Sequence, residues 1–264
     1  EKERFIGALN ARWDVTDFLY LRGRIGGDRY DHHRTNSTPW GTAYQPNGSI
    51  NETKRTFQQY DVDVFLGTDN LELTDGLSLT TFVGMGSNVQ EYDAVSKSGS
   101  HFIVPFLLNV GNTKNQGGDY SYWKKQINSV YGSAELGFGG YAYLTLTARN
   151  DWYSTLSLKD KKSPNNDLYT SASVSLVLSD ALDLGDTVSF LKLRGGYSQV
   201  AGGADSPYAL SLAYGIYGQG HLGASLGSIS GGTIPNSEIT PFEKNETEFG
   251  VDLRMFDNKF SIDA

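Results

Sequence analysis

The sequence predicts an all-β chain: an antiparallel up-and-down meander of about ten strands, part of a large transmembrane β-barrel. Three observations carry the prediction. Apolar and polar residues alternate over long stretches, as in "YAYLTLTARNDWYST" from Tyr141 to Thr155. The connections between those stretches alternate between short and long. Mid-strand charges keep to one side of each stretch.

The period of two places strands at roughly 3–14, 18–31, 54–69, 77–94, 122–137, 141–153, 168–179, 188–200, 243–256 and 259–264. No helical period of useful length is present. Several stretches run to about 12–16 residues, where strands of globular proteins have about 5–6. At about 3.3 Å per residue, twelve residues reach about 40 Å, enough to cross the hydrocarbon layer when tilted.

The connections give direction. Thr16-Asp17, "TDG" (Thr74–Gly76), "GFGG" (Gly137–Gly140), "DALDLGD" (Asp180–Asp186) and Asp257-Asn258 are short. The segments around 32–53, 95–121, 154–167 and 201–242 are long and polar or Gly-rich. A meander puts alternate connections at opposite ends of the sheet, so one end is trimmed and the other elaborated, as in outer-membrane barrels.

Parity assigns the faces. Leu19, Leu21, Gly23 and Ile25 oppose Tyr20, Arg22, Arg24 and Asp28; Tyr60, Val62, Val64 and Leu66 oppose Asp61 and Asp63. Leu144 and Leu146 oppose Thr145, Thr147 and Arg149; Leu191 and Leu193 oppose Lys192 and Arg194; Phe249, Val251 and Leu253 oppose Glu246, Glu248, Asp252 and Arg254. In a membrane barrel Arg22, Arg24, Asp61, Asp63, Arg149, Lys192, Arg194, Glu246, Glu248, Asp252 and Arg254 face the lumen and the leucines face lipid. A soluble sandwich gives the same parity with the leucines buried, so parity alone does not choose. Aromatics at strand ends (Trp13 and Phe18; Phe138, Tyr141 and Tyr143; Phe256 and Phe260; Trp152 and Tyr153) suit interfacial girdles.

Composition excludes several classes. With 38% apolar and 12% aromatic residues the chain is not disordered. A formal net charge of −8 argues against a nucleic-acid partner. The absence of cysteine removes thiolate metal sites and Cys nucleophiles. The sequons at Asn36, Asn47, Asn51 and Asn245 read as chance in an Asn-, Ser- and Thr-rich chain. No apolar run is long enough for a transmembrane helix; "FIVPFLLNV" (Phe102–Val110) is the longest cluster. No signal peptide opens the chain, and both ends fall in mid-pattern, so a fragment of something larger is expected.

Three stretches carry a family resemblance. "FLKLRGGYSQVAG" (Phe190–Gly202), "IPNSEITPFEKNETEFGVDLRMFDNKFSIDA" (Ile234–Ala264) and "TARNDWYSTL" (Thr147–Leu156) resemble, in order and spacing, segments of the SusC-like (SusC/RagA) TonB-linked outer-membrane transporters of Bacteroidetes. The resemblance covers about the last 120 residues well and the first 120 only in style. The chain departs from the family pattern in the transposed Pro235-Asn236, in Pro241 and Phe242, and in Lys259 in place of Arg. The resemblance implies a barrel of about 22 strands with a plug and TonB box that lie outside this chain. It also implies a SusD-like surface lipoprotein and TonB as partners, with the inner-membrane proton gradient driving import through TonB, and an oligosaccharide or peptide as substrate, imported across the bacterial outer membrane. No cofactor and no enzymatic activity are implied.

The remaining motifs are plain. His32 and His33 in "DHHRTN" face opposite ways if extended, which makes them poor joint metal ligands; a solvated loop base is the simpler reading. His101 and His221 read as lone loop histidines. "GQGHLGASLGSISGG" (Gly218–Gly232) lacks the GK[ST] of a phosphate loop and reads as a flexible outer loop. Trp40, Tyr44, Tyr208, Tyr214 and Tyr217 are the loop aromatics able to contact a substrate, or to pack within their own loops. A soluble all-β carbohydrate-binding or adhesion module is the alternative; it explains the alternation but not the unequal loops. A β-barrel enzyme would need a Ser/His/acid cluster at one rim, and none stands out.

Overall fold

The computed structural model describes residues 1–159, 161–185, 187–218 and 220–264, with Tyr217 described for its backbone alone. Ten strands form one sheet in the order β1-β2-β3-β4-β5-β6-β7-β8-β11-β12, and β9 and β10 form a separate pair. The strands are β1 Lys2–Asp14, β2 Tyr20–Thr38, β3 Ser49–Thr74, β4 Leu77–Phe102, β5 Thr113–Phe138, β6 Ala142–Tyr153, β7 Asn166–Val177 and β8 Val188–Gly202. The remaining four are β9 Tyr214–Tyr217, β10 Leu226–Ile229, β11 Phe242–Met255 and β12 Phe260–Asp263. The predicted meander is therefore the observed one, and all ten predicted strands are present. No helix among the described residues is long and apolar enough to cross a membrane.

Strand ends differ from the prediction. β2 runs on to Thr38, β3 begins at Ser49, β4 ends at Phe102 and β5 begins at Thr113. Their Gly-, Asn- and Ser-rich tips read as loop, yet their backbones are paired: His101 N donates to Gly48 O at 3.1 Å and Phe102 N to Asn47 O at 2.9 Å. His32 and His33 thus lie in β2 and His101 in β4, not in loops. His221 sits in a short 3-10 turn, and the Gly-rich loop after β8 holds the β9–β10 hairpin. The connection between β7 and β8 is not a tight turn: it opens with one helical turn, α1 (Leu178–Ala181), so its length does not mark it off from the longer connections opposite.

The chain divides into two compact units. The first comprises Glu1–Asn10, Arg24–Val62 and Ser87–Gln126. Its loop ends are tightly made. Gly48 sits at φ +67°, where a side chain would strike the ring of buried Phe102. Asn112 clamps the β4–β5 loop: its side chain accepts from Val104 N at 3.0 Å and donates to Val104 O and Leu107 O, both at 2.8 Å.

The second unit comprises Ala11–Gly23, Asp63–Gly86 and Ile127–Ala264. Here the cross-strand register sorts side chains into two faces. One row runs Leu136, Leu144, Val174, Gly195, Phe249 across β5, β6, β7, β8 and β11. The row beside it runs Glu135, Thr145, Ser173, Gly196, Glu248 on the opposite face. Among the described residues of this unit the buried large apolar side chains are few: Tyr20 at the start of β2, Tyr153 at the end of β6, Leu156 just after it and Leu210 in the segment after β8. A layered soluble domain builds a central core instead.

Candidate functional site

The polar face is the candidate site, because the charged side chains converge there. Along β3, Asp61, Asp63 and Phe65 are half-buried, while the interleaved Val62, Val64 and Leu66 are 43%, 45% and 40% exposed. In β6, Leu146 is 45% exposed while Asp151 on the other face is 5% exposed; Leu144, expected bare, is half-buried. The apolar face is thus the more open one along these strands, the reverse of a sheet packed on a soluble core.

In the second unit the polar face carries a lattice of rings and charges that spans neighbouring strands. Arg12 lies 4.1 Å from the ring centre of Tyr20, and Tyr20 meets Phe65 edge-on at 6.4 Å. Phe65 meets Phe82 at 5.6 Å, Phe82 meets Tyr131 at 6.1 Å, and Arg149 lies 5.4 Å from the Tyr131 ring. Arg22 is 5.7 Å from the Phe65 ring. The buried glycines Gly67 and Gly84 make room: a Cβ at either would strike Tyr20 or Phe65. Each ring contact contributes about 0.5–1.5 kcal/mol beyond burial.

Hydrogen bonds tie this lattice down. Tyr131 Oη donates to Asp63 at 2.9 Å. Arg149 donates to Asp151 at 2.8 Å and to Ser129 at 2.9 Å, and Tyr169 Oη donates to Asp151 at 2.6 Å. Asp151 is therefore the hub of a part-buried network. Thr147 and Ser171 share a 2.5 Å hydroxyl contact in the adjoining row.

Near β11 the same face holds the other charges named from sequence. Lys192 pairs in register with Asp252, Glu246 with Ser198, and Glu248 with Gly196. Arg194 donates to Asp263 at 2.9 Å, and Arg254 donates to Asp252 at 3.0 Å while lying 4.8 Å from the Phe190 ring. Lys192, Arg194 and Glu248 line a cavity of about 660 Å³.

The first unit repeats the design. Tyr30 stacks on Phe57 at 5.4 Å, Phe57 meets Trp123 at 6.2 Å, and Trp123 stacks on Tyr92 at 5.5 Å. Lys2 and Lys125 lie over Tyr30 and Trp123. Tyr30 with Phe57 and Trp123 with Tyr92 each turn a ring face toward one another, and Phe57 meets Trp123 edge-on, so the row joins neighbouring strands through ring contacts. Asp61 accepts from Asn88 at 2.5 Å and Gln59 at 2.9 Å, Arg4 donates to Asp28 at 2.6 Å, and Arg24 is exposed in β2. Arg55 Nε donates to His32 Nδ1 at 2.9 Å.

The loop aromatics are scattered. Tyr44 is 83% exposed in the β2–β3 loop and Trp40, in the same loop, is half-buried. Tyr208 (φ +63°) and Tyr214 are exposed around β9. The side chain of Tyr217 lies outside the described residues. Lys161, in the segment between β6 and β7, donates to Leu156 O at 2.9 Å, and its partial burial lowers its affinity for a proton.

The sequence signals Arg22, Asp61, Asp63 and Arg149 through parity with charged neighbours. It does not signal the ring lattice, whose members Phe65, Phe82 and Tyr131 meet only across strands. Their shared parity with the charges is the trace it leaves.

No protein-family model matches the sequence, and no curated protein does. Solved structures do. The chain is similar to the RagAB peptide transporter, with a TM-score of 0.83 and 17% identity over 98% of this chain and 29% of that one. The RagAB peptide importer in the "closed-closed" state gives 0.83 and in the "open-open" state 0.81, with the same identity and coverage. At this identity the likeness shows the fold alone. The chain spans 29% of the length of these relatives.

Proposed function

We propose that the chain forms part of the wall of an outer-membrane β-barrel of the SusC-like, TonB-dependent kind, whose work is import of an oligosaccharide or a peptide. The observation that carries it is the inverted exposure of β3, with Val62, Val64 and Leu66 open and Asp61 and Asp63 on the shielded face. In a bilayer that arrangement puts the valines against lipid and the carboxylates against a wet lumen. Exposed Trp13, Phe18, Phe138, Tyr141, Phe256 and Phe260 at the trimmed ends fit an interfacial girdle.

The likeness to transporter structures supports the same reading, as do the long connections opposite the trimmed ends. Arg22, Arg24, Asp61, Asp63, Arg149, Lys192, Arg194, Glu246, Glu248, Asp252 and Arg254 line the lumen in this proposal, and no catalysis is assigned to them. The partners are a SusD-like lipoprotein at the outer rim, TonB acting through a plug, and the bilayer itself.

Membrane fractionation tests the proposal. The protein, expressed at natural length, should stay in the outer-membrane fraction after urea washing and change its gel mobility on boiling. A folded monomer released into detergent-free buffer would overturn it.

A further inference from the structure

The hairpin of β6 and β7 has a basic tip above an uncharged wall. Its strands hold 12 residues each, where β3, β4 and β5 hold 26. At about 3.3 Å per residue and a tilt near 45°, twelve residues rise about 28 Å, the thickness of the hydrocarbon layer. In the proposed barrel the connection 154–165 therefore leaves the wall at the level of the outer headgroups. It carries Lys159, Lys161 and Lys162 against one acid, Asp160, on a chain whose net charge is −8.

The loop is anchored by Leu156, which is fully buried. Lys161 staples it, with Nζ donating to Leu156 O at 2.9 Å and to Pro164 O at 3.3 Å. Lys159 and Lys162 are exposed and make no ion pair among the described residues. Below them, Trp152 pairs in register with Asn166, Asn150 with Leu168, Ala148 with Thr170 and Leu146 with Ala172, all on one face. Trp152, Leu168 and Leu146 are exposed on it. The two acids at the top of these strands, Asp151 and Asp167, pair with each other on the opposite face. The small side chains of Ala148, Thr170 and Ala172 leave room for an acyl chain along the wall.

We propose that Lys159 and Lys162 bind the phosphate of an outer-leaflet lipid whose acyl chains lie on the wall below Trp152 and Leu168. The inference rests on the barrel reading of this sheet. Two ammonium groups on a loop just above an apolar face are placed for a phosphate held at the same height, and an indole suits the boundary between them. A soluble anion would meet the lysines and gain nothing from the wall, so the ligand is a lipid rather than free phosphate.

Thermophoresis with the full-length protein in detergent tests this, with lipid A as probe. Bisphosphorylated lipid A should bind, and its dephosphorylated form should bind about 25-fold more weakly. Lys159→Gln combined with Lys162→Gln should cost the phosphorylated lipid the same factor, about fivefold for each charge. Arginine at both positions should keep the affinity of the parent. Added salt should weaken the parent more than the double glutamine variant. Boiling-dependent gel mobility reports that each variant is folded. The inference is overturned if dephosphorylated lipid A binds equally well, if the double glutamine variant binds like the parent, or if inorganic phosphate displaces the lipid. Failure here with the protein still resisting extraction from the outer membrane leaves the barrel proposal standing; loss of membrane residence removes both.

Discussion

Arg194 on β8 donates to Asp263 on β12 at 2.9 Å, and it reaches that carboxylate across Gly250 on the strand between them. A Cβ at Gly250 would collide with the guanidinium. Gly250→Val should therefore displace Arg194, detach Asp263 and speed amide exchange in β12. Both groups are well exposed, so the pair itself is worth at most about 1 kcal/mol and Arg194→Ala should be mild. Hydrogen exchange of residues 260–263 checks the order: Gly250→Val above Arg194→Ala above the parent.

Asp151 gives the larger effect. Its carboxylate is buried and takes bonds from Arg149 and Tyr169, and Arg149 also reaches Ser129. Asp151→Ala leaves two part-buried donors without their acceptor, a cost of about 1–3 kcal/mol. Tyr169→Phe removes one donor and leaves none stranded, so it should cost about 1 kcal/mol or less. Urea unfolding in detergent micelles measures both. Equal losses for the two substitutions would refute the hub role of Asp151.

Period-two patterning made the sheet legible because each strand carries its own inside–outside record, as Val62–Leu66 and Leu144–Ala148 show. Strand tips were not legible. Ser98, Gly99, Asn115 and Gly117 have loop composition, and they are extended only because neighbouring strands pair with them. The charges of the candidate face were legible for the same reason as the strands. The ring lattice was not, since Tyr20, Phe65, Phe82 and Tyr131 lie far apart in sequence and their contacts depend on register. A cavity at the tips of β2, β3, β4 and β5 leaves no mark in the sequence, because its Asn-, Ser- and Gly-rich lining has the composition of a loop.

His32 supplies a pH prediction. It lies on β2 beyond the apolar stretch that ends at Ile25, outside the proposed membrane span. Partial desolvation, followed by the charge of Arg55, lowers its proton affinity below the ordinary imidazole value of 6.5. With Nδ1 accepting from Arg55, the neutral ring keeps its proton on Nε2. The neutral form is favoured in the folded state, so this contribution to stability is complete above the ordinary imidazole value. It is lost as pH falls through that value toward the lowered one. Arg55→Met should raise the His32 titration midpoint, followed by NMR of labelled histidine. An unchanged midpoint would show that Arg55 does not act on the ring.

The inverted faces of β3 can be tested directly, because the chain has no cysteine of its own. Single replacements at Asp61, Val62, Asp63, Val64, Phe65 and Leu66 sample both faces within one strand. In the outer membrane, cysteines at 62, 64 and 66 should resist a charged maleimide and quench with a nitroxide on the lipid chains. Those at 61 and 63 should label readily and escape the quencher. Arginine adds an energetic test. Val64→Arg should cost about 2–4 kcal/mol if that face meets the mid-depth of a bilayer, and hinder assembly. Asp63→Asn keeps an acceptor for Tyr131 and should cost about 1 kcal/mol or less. A soluble sandwich predicts the opposite labelling in part: with Val62, Val64 and Leu66 packed in a protein core, no lipid-borne quencher would reach them. Quenching at 62, 64 and 66 alone therefore separates a membrane wall from a soluble sheet.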